Sequence, residues 1–169
     1  LTDAKTAELS KLAENSFRDV NIAFANELAK ISESLGIDVW ELIELANLHP
    51  RVNILRPGPG VGGHCIAVDP WFIVDAAPKL SRLIRTAREV NDSRPDDVVA
   101  QARERLTQSG WSQAQPVRIA ALGLAFKPDV DDLRSSPAIT VAQKLAEIPG
   151  VEVLCCEPNV QALPAGLQE

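Results

Sequence analysis

The first long segment of the chain, residues 4–35, reads AKTAELSKLAENSFRDVNIAFANELAKISESL. It contains no glycine or proline, and its apolar residues recur at helical spacing: Leu9, Leu12, Ala13, Phe17, Val20, Ala23, Leu28 and Ile31. This pattern predicts one helix over residues 4–35 that Gly36 ends. Such a helix is much longer than the globular average, so we expect it to cross a whole domain or to pack against a second subunit.

Further helices follow up to about residue 112. Asp38 and Glu41 form a capping pattern that predicts a second helix, and Asp69-Pro70 fits the N-cap and first turn of a third. Helical sequence returns over residues 80–90 and 95–106, and Pro95 either breaks or starts a helix there.

The pattern of apolar residues changes after a polar linker at residues 113–116. The run VRIAALGLAF, residues 117–126, is typical of a buried strand; a helix through Pro137 to about Glu147 and a strand at 151–155 follow. This is one β-α-β unit of a parallel sheet. We therefore expect a mainly α domain over residues 1–112, followed over residues 113–169 by the start of an α/β, Rossmann-like domain whose other strands are missing.

Composition narrows the function classes. The net charge of -6 and the pI near 5.0 argue against binding to nucleic acid or to a membrane surface. There is no apolar run of about 20 residues and no signal-peptide pattern, and three cysteines do not form a disulfide framework. We expect a cytoplasmic protein. The lack of methionine and the abrupt ends suggest a piece of a longer protein.

Residues 56–70, RPGPGVGGHCIAVDP, look most like a site. Interleaved glycines and prolines exclude a helix or a central strand, so this is a loop whose peptide N–H groups can approach a ligand. It leads to Cys65, whose thiol is a good nucleophile, and Asp69 follows. The alternative is a tight structural connection with a buried cysteine.

Three polar residues of the long helix, Lys11, Asn15 and Arg18, are spaced to share one face. They could form a binding stripe. The alternative is an ordinary solvated face, because Glu14 and Asp19 are adjacent.

Other candidates lie at turns. His49 and Arg51 flank a proline in an exposed-looking turn, whereas Phe126-Lys127 and Arg134 follow the first strand, where open sheets place ligands. The aspartates between them lack the spacing of a calcium loop, so we expect no metal.

Together these motifs resemble the UDP-glucose/GDP-mannose dehydrogenases, which oxidise the C6 alcohol of a nucleotide sugar to a carboxylate. The resemblance covers nearly the whole chain in order and rests on four stretches: residues 6–17 (TAELSKLAENSF), 26–28 (NEL), 60–69 (GVGGHCIAVD), and 123–134 with GLAFK followed by DDLR. His64 beside Cys65, together with residues 66–72, is most similar to members that act on UDP-N-acetyl-D-mannosamine.

The resemblance implies a domain plan. Family members begin with an NAD-binding Rossmann domain that carries a GxGxxG turn. We expect both this domain and the GxGxxG spacing to be absent here. The chain would be the central domain, which forms the homodimer through its long helix, plus the first part of the UDP-binding domain. We expect this piece alone to be inactive.

The resemblance also implies residue roles. Cys65 would carry a thioester, Lys11 and Asn15 would donate to the C6 oxygen, and Asp69 would support water activation. The implied ligand contacts are Arg18, Gly62, Phe126 and Lys127 for the UDP-sugar, His49 and Arg51 for a substrate in the neighbouring subunit, and Arg134 for NAD. The implied role is in bacterial surface polysaccharide synthesis.

Alternatives remain open. The sugar could be glucose or N-acetylglucosamine, since few side chains discriminate them. From other classes, a cysteine hydrolase would need Cys65 and a well-placed histidine, which adjacent His64 is not, and the chain could be a non-catalytic dimerisation module.

Overall fold

The computed structural model describes residues 2–167. Contacts between residues divide the chain into two compact units, Leu1–Ser93 and Arg94–Glu169. The elements in chain order are α1 (Ala4–Leu35), α2 (Val39–Ala46), α3 (Asp69–Ala76), α4 (Arg82–Gln108), β1 (Val117–Leu122), α5 (Pro137–Ala146) and β2 (Val151–Cys156). The predicted class, a mainly α part followed by the start of an α/β domain, is confirmed. The domain boundary at residues 112 and 113 stays a prediction.

Helix α1 has the bounds that the sequence predicts. The Asp3 carboxylate accepts a hydrogen bond from the Thr6 N–H at 3.1 Å, which caps the first turn. At the other end Gly36 takes a left-handed conformation (φ 68°), and its N–H donates to the Glu33 carbonyl at 3.2 Å. Glycine is the residue that tolerates this conformation best, so it terminates the helix.

The two sides of α1 differ from those of an ordinary surface helix. Large apolar side chains are exposed, with Phe17 at 70% and Phe24 at 51%. The buried residues are mostly polar or small: Asn15, Ser16, Asp19, Ala23, Ala25, Asn26 and Ser32. Within the first unit, α1 contacts α2 and α3.

Helix α2 begins as predicted, because the Asp38 carboxylate accepts from the Trp40 N–H at 2.8 Å. The prediction that Asp69 caps α3 is wrong by one residue. The N-cap is Val68, which makes no side-chain cap, and Asp69 and Pro70 are the first helical residues. The Asp69 carboxylate instead accepts from Asn15, a partner 54 positions away that local sequence does not reveal.

Helix α4 is continuous from Arg82 to Gln108 with Pro95 inside it. The open question about Pro95 is thus resolved, since it neither ends nor starts the helix. A proline has no N–H to donate to the carbonyl four residues earlier, so one helical hydrogen bond is absent there.

The second unit contains the predicted parallel β-α-β arrangement. Strands β1 and β2 pair in parallel, with Val117 opposite Val151 and Leu122 opposite Cys156. The first strand is shorter than the apolar run predicts, because Gly123 turns away with φ 86°. Its burial alternates along the strand, so β1 is not buried on both faces. The core cluster consists of Val99, Leu124, Ala142, Leu145, Ile148, Val153 and Cys155.

Candidate active site

The polar stripe of α1 divides into buried and exposed members. Asn15 is 3% exposed, whereas Lys11 and Arg18 are exposed to solvent. The Lys11 ammonium lies 3.5 Å from the Glu14 carboxylate, an exposed contact that adds little stability. Lys11 is therefore an accessible ammonium one helical turn from a buried amide.

One hydrogen bond joins this stripe to the far end of the glycine loop. The Asn15 Nδ2 donates to Asp69 Oδ2 at 2.5 Å, and α1 packs against α3. A primary amide has two N–H donors, so this bond leaves Asn15 chemically able to donate to a ligand as well. The structure thus places two of the predicted catalytic residues in direct contact.

Cys65 lies in the turn that leads into α3. Its side chain is exposed, and its carbonyl accepts hydrogen bonds from the Val68 N–H at 3.0 Å and the Asp69 N–H at 2.8 Å. These two bonds close the turn between the thiol-bearing residue and Asp69. The alternative of a buried structural cysteine is wrong for Cys65.

The glycine loop needs glycine at two positions. Gly60 has φ 134° and Gly63 has φ 81°, conformations that residues with a Cβ rarely adopt. The Gly58 N–H is bound by the Asn26 Oδ1 at 2.8 Å. Backbone geometry therefore shapes the loop that contains Gly62, and a hydrogen bond near the start of this loop fixes it to α1.

His49 and Arg51 lie in a second loop, which Asn47 closes. The Asn47 amide accepts from the Ile54 N–H at 2.7 Å and donates to the Ile54 carbonyl at 3.0 Å. The His49 Nδ1 accepts from the Arg51 N–H at 3.2 Å. Both side chains are exposed, and these hydrogen bonds all stay within the loop.

In the second unit, Phe126 and Lys127 follow the end of β1. The Lys127 ammonium lies 5.6 Å from the centroid of the Phe126 ring, within cation–π range. A cavity of about 480 Å³ opens beyond the ends of both strands, and Lys127, Glu157 and Asn159 are among its lining residues. This is where open α/β sheets bind ligands.

Glu157 holds the loop that carries Phe126 and Lys127. Its Oε2 accepts from the N–H groups of Leu124 at 2.8 Å and Ala125 at 2.9 Å, while Oε1 accepts from the Asn159 N–H at 3.2 Å. The hydrogen bonds from Ala125 and Leu124, with that from Asn159, lower the pKa of the Glu157 carboxyl. The Glu157 carboxylate therefore satisfies backbone N–H groups at the ends of the strands.

Arg134 is exposed and paired with its neighbour. Its guanidinium donates to the Asp132 carboxylate through Nε at 2.9 Å and a terminal nitrogen at 2.7 Å. These hydrogen bonds to Asp132 raise the pKa of Arg134 further. The side chain is fully charged and held in one orientation.

Comparison with known proteins identifies the family of the chain. A model of the UDP-glucose/GDP-mannose dehydrogenase central domain matches residues 5–93, and a model of the family's UDP-binding domain matches residues 120–169. The chain belongs to the UDP-glucose/GDP-mannose dehydrogenase family. The predicted resemblance is confirmed.

Two curated relatives of the chain have different names. The chain is 60% identical over 168 residues to an NDP-N-acetyl-D-galactosaminuronic acid dehydrogenase of Ralstonia nicotianae, matching 99% of the chain and 38% of the relative. It is 60% identical over 170 residues to a UDP-N-acetyl-D-mannosamine dehydrogenase of Salmonella typhimurium, matching 99% of the chain and 40% of the relative. The chain therefore spans about 40% of the length of these relatives.

Solved structures of dehydrogenases share the fold. A UDP-N-acetyl-mannosamine dehydrogenase from Staphylococcus aureus superimposes with a TM-score of 0.84 at 48% identity, covering 99% of this chain and 38% of that one. A UDP-D-ManNAc dehydrogenase from Pyrococcus horikoshii gives a TM-score of 0.85 at 42% identity, covering 95% and 38%.

The residues of the chain fit NAD only in part. Gly58, Gly60 and Gly63 do have the GxGxxG spacing, so the expectation that this spacing is absent is wrong. No strand precedes them, however, because the described strands are Val117–Leu122 and Val151–Cys156, so this is not a dinucleotide-binding turn. Arg134, with a side chain 74% exposed, fits an anionic phosphate.

In residues 2–167, no cluster of three or more histidine, cysteine, aspartate or glutamate side chains could hold a metal ion. Within the same residues, no helix is both long and apolar enough to span a bilayer.

Sequence reasoning missed several residues that shape the site. Asn26 binds the start of the glycine loop, Asn47 closes the His49 loop, and Glu157 holds the loop after β1. Asn26 had a signal, since it lies eleven positions after Asn15 and so shares its helix face. The partners of Asn47 and Glu157 are backbone groups, which leave no pattern in the sequence.

Proposed function

We propose that the full-length protein oxidises the C6 alcohol of UDP-N-acetyl-D-mannosamine to a carboxylate. The oxidant is NAD⁺, and the product serves bacterial surface polysaccharide synthesis in the cytoplasm. The observation that carries the proposal is the hydrogen bond from Asn15 to Asp69, which joins the stripe of Lys11 to the turn of Cys65. Names of relatives at 58–61% identity support the sugar.

The chemistry that NAD⁺ supplies when bound is a hydride acceptor for both oxidation steps. The Cys65 thiolate adds to the carbonyl carbon of the aldehyde formed first, giving a thiohemiacetal. Loss of hydride from that carbon leaves a thioester. Water then attacks the thioester, the carbon–sulfur bond breaks, and the carboxylate leaves with the thiol regenerated.

Polar groups around Cys65 assist these steps. Lys11 and Asn15 donate hydrogen bonds to the C6 oxygen as negative charge develops there, and Lys11 also exchanges a proton. Asp69, oriented by Asn15, supports the attacking water. The exposure of Lys11 and Cys65 leaves both accessible to a substrate.

The remaining predicted residues bind ligands in this proposal. Arg18 and the Gly62 segment orient the sugar and pyrophosphate, and Phe126-Lys127 contacts the nucleotide sugar. His49 and Arg51 reach a substrate in the neighbouring subunit, and Arg134 contacts NAD. The cavity at the strand ends, which Lys127 lines, and the exposure of Arg18, His49, Arg51 and Arg134 support the assignments.

We further propose that α1 forms the homodimer interface. Phe17, Phe24 and Ile31 are seven residues apart, which places them on one helix face, and they are 70%, 51% and 49% exposed. An apolar stripe of this kind is stabilised by packing against a second copy. Sedimentation of the full-length protein tests this, and a monomer would contradict it.

Replacement of the thiol tests the proposed chemistry. In the full-length protein, Cys65→Ala should lower NADH formation from the UDP-sugar by about 10³-fold or more, because no acyl carrier remains. The matched control is Cys156→Ala, which removes another exposed thiol and should leave the rate unchanged. Undiminished NADH formation by Cys65→Ala would disprove the nucleophile. We expect the 169 residues alone to form no NADH.

A second candidate substrate follows from the Ralstonia relative, an NDP-N-acetyl-D-galactosaminuronic acid dehydrogenase that is equally similar at 60% identity. The two sugars differ in ring stereochemistry, which few side chains discriminate. A panel of UDP-N-acetylmannosamine, UDP-N-acetylgalactosamine, UDP-N-acetylglucosamine and UDP-glucose decides between them by kcat/KM. If these residues act only as a dimerisation module, Cys65→Ala would leave kcat/KM of the full-length protein unchanged for every member of the panel.

A further inference from the structure

Four polar residues that the proposed reaction does not use are buried in the first unit. Asp19, Asn26, Arg88 and Asn91 are each no more than 1% exposed. Two of them lie on α1 and two on α4. Buried polar side chains are costly unless their hydrogen bonds are satisfied, so their partners matter.

Their hydrogen bonds form one chain, which we call the Asp19–Asn26 network. An Arg88 terminal nitrogen donates to Asp19 Oδ1 at 2.6 Å, and the Asn91 Nδ2 donates to the same oxygen at 2.8 Å. Asn26 Nδ2 donates to Asn91 Oδ1 at 2.9 Å. The chain ends where Asn26 Oδ1 accepts from the Gly58 N–H at 2.8 Å, on the glycine loop.

The network fixes which way each amide points. Asp19 Oδ1 accepts hydrogen bonds, so Asn91 must present its Nδ2 to Asp19 and its Oδ1 to Asn26. Asn26 must then present its Nδ2 to Asn91, which leaves its Oδ1 for Gly58. The Arg88–Asp19 ion pair at one end of the network thus determines that Asn26 presents an acceptor, Oδ1, to Gly58 at the other end.

Asn26 and Asn15 attach the glycine loop to α1 at two points. Asn26 binds Gly58, and Asn15 binds Asp69. The two asparagines are eleven residues apart, which is about three helical turns and about 16 Å along the same face. The loop therefore runs antiparallel to α1, with Cys65 between its two attachment points.

We infer that Asn26 is a positioning residue: by holding Gly58 on α1, it sets where the Cys65 segment lies relative to Lys11 and Asn15 on that helix. This inference rests on the proposed function, because the position of Cys65 matters for catalysis only if its thiol reacts. Asn26 itself does not touch the reacting atoms.

The test uses two variants of the full-length protein that break the same bond from opposite sides. Asn26→Leu removes the acceptor, and Gly58→Pro removes the donor without changing a helix. Gly58→Ala is the matched control, because it keeps the N–H, its φ is not positive and no atom lies within 4 Å of the added Cβ. Asn21→Asp controls for the helix, since Asn21 bonds only to the Phe17 carbonyl of α1.

Iodoacetamide labelling resolved by peptide provides a readout that needs neither substrate nor NAD⁺. Cys65 reports the loop, the exposed Cys156 reports reagent reactivity, and the buried Cys155 reports unfolding of the second unit. Peptide-resolved hydrogen exchange reports unfolding of the first unit. We expect Gly58→Pro and Asn26→Leu to change the Cys65 to Cys156 labelling ratio by about fivefold in either direction, because Cys65 is already exposed and its reactivity follows the position of the loop; fivefold is the factor that one hydrogen bond of about 1 kcal/mol gives. Cys155 should stay protected, and both controls should match wild type.

Activity measured in parallel should show kcat lower by about 10-fold to 100-fold, because a displacement near 1 Å has that effect, while KM changes less. A wild-type labelling ratio and kcat in Gly58→Pro would overturn the inference. So would a loss of hydrogen-exchange protection throughout the first unit in Gly58→Pro but not in Gly58→Ala, since the bond would then serve folding alone. If Cys65→Ala stays active, the proposed function fails while the labelling ratio still tests the positioning.

Discussion

The two units of the chain have opposite interiors. The interior of Leu1–Ser93 contains an arginine, an aspartate and two asparagines joined by hydrogen bonds, while large apolar side chains of α1 are exposed. The interior of Arg94–Glu169 is an apolar cluster built around Leu124 and Leu145. Apolar packing is non-directional, whereas hydrogen bonds specify atoms and angles. The interior of the first unit thus specifies the orientation of individual groups, whereas the interior of the second is held by non-directional packing.

Two ion pairs of similar length show the same contrast. Arg88 and Asp19 are 2.6 Å apart with side chains 1% exposed, and Arg118 and Glu152 are 2.8 Å apart with side chains 74% and 43% exposed. Distance alone therefore does not rank the two pairs, and burial decides how much each removal matters.

The largest effect is expected at Arg88. Arg88→Met leaves the buried Asp19 without its cation and should lower the free energy of unfolding of the first unit by about 3–5 kcal/mol. Peptide-resolved hydrogen exchange of the full-length protein measures this. The control is Asp19→Leu combined with Arg88→Met, which removes both charges and should recover much of the loss. A loss below about 1 kcal/mol in Arg88→Met would show that the network is not needed for stability.

A comparable effect in the second unit should come from lost packing. Leu124 is 0% exposed, and Leu124→Ala should lower the free energy of unfolding by about 3 kcal/mol through a cavity. Leu122→Ala is the matched control, since Leu122 is 80% exposed and its loss should change stability by less than about 0.5 kcal/mol. Equal losses in the two variants would contradict an apolar core that contains Leu124 but not Leu122.

The two interiors should also respond oppositely to acid. Backbone hydrogen bonds from Ala125 and Leu124 hold the pKa of Glu157 below its ordinary value of 4.5, so its contribution is complete above 4.5 and is lost as pH falls through the lower folded value. Burial, opposed by Arg88, raises the pKa of Asp19 above its ordinary value of 3.8. Its cost is therefore absent below 3.8 and grows as pH rises through the folded value.

Hydrogen exchange between about pH 6 and pH 3, corrected for intrinsic rates, checks these signs. The amides of Leu124 and Ala125 should lose protection as pH falls, and in Glu157→Gln the loss should disappear because Gln does not titrate. The amides around Asp19 should keep their protection over the upper part of this range. A parallel loss in both units would mean that Asp19 behaves like Glu157.

The smallest effect is expected at the exposed ion pair. Arg118→Ala should lower the free energy of unfolding by about 0.2–1 kcal/mol, because solvent screens the pair. In about 1 M salt the difference from wild type should vanish. An effect as large as that of Arg88→Met would contradict the role given to burial.

Local signals predicted the helices and strands well. Long-range contacts account for the wrong roles given to Asp69 and Asp19. Gly36 and Asp38 mark helix ends through hydrogen bonds within a few residues, so their roles were readable. Asp69 was misassigned because its partner Asn15 lies 54 positions away. Asp19 looked like part of a solvated face because Arg88 lies 69 positions away, which no helical period reveals.

The site shows the same division. Residue types and spacing indicated Cys65, Lys11, Asn15 and Asp69 as candidates, and the structure adds the contact between Asn15 and Asp69. Their roles stay predictions. Asn26 and Glu157 were not predicted as site residues, because their function is to hold backbone N–H groups that every residue possesses.

The two attachments of the glycine loop define an exchangeable cassette. Residues 59–68 lie between Gly58 and Asp69, the points where α1 holds the loop. Loops of equal length from relatives with other sugar preferences can therefore be grafted at these borders while both anchoring bonds are kept. Directed evolution of specificity would do best to randomise inside the borders while keeping Gly60, Gly63 and Cys65, and to leave Asn15 and Asn26 unchanged.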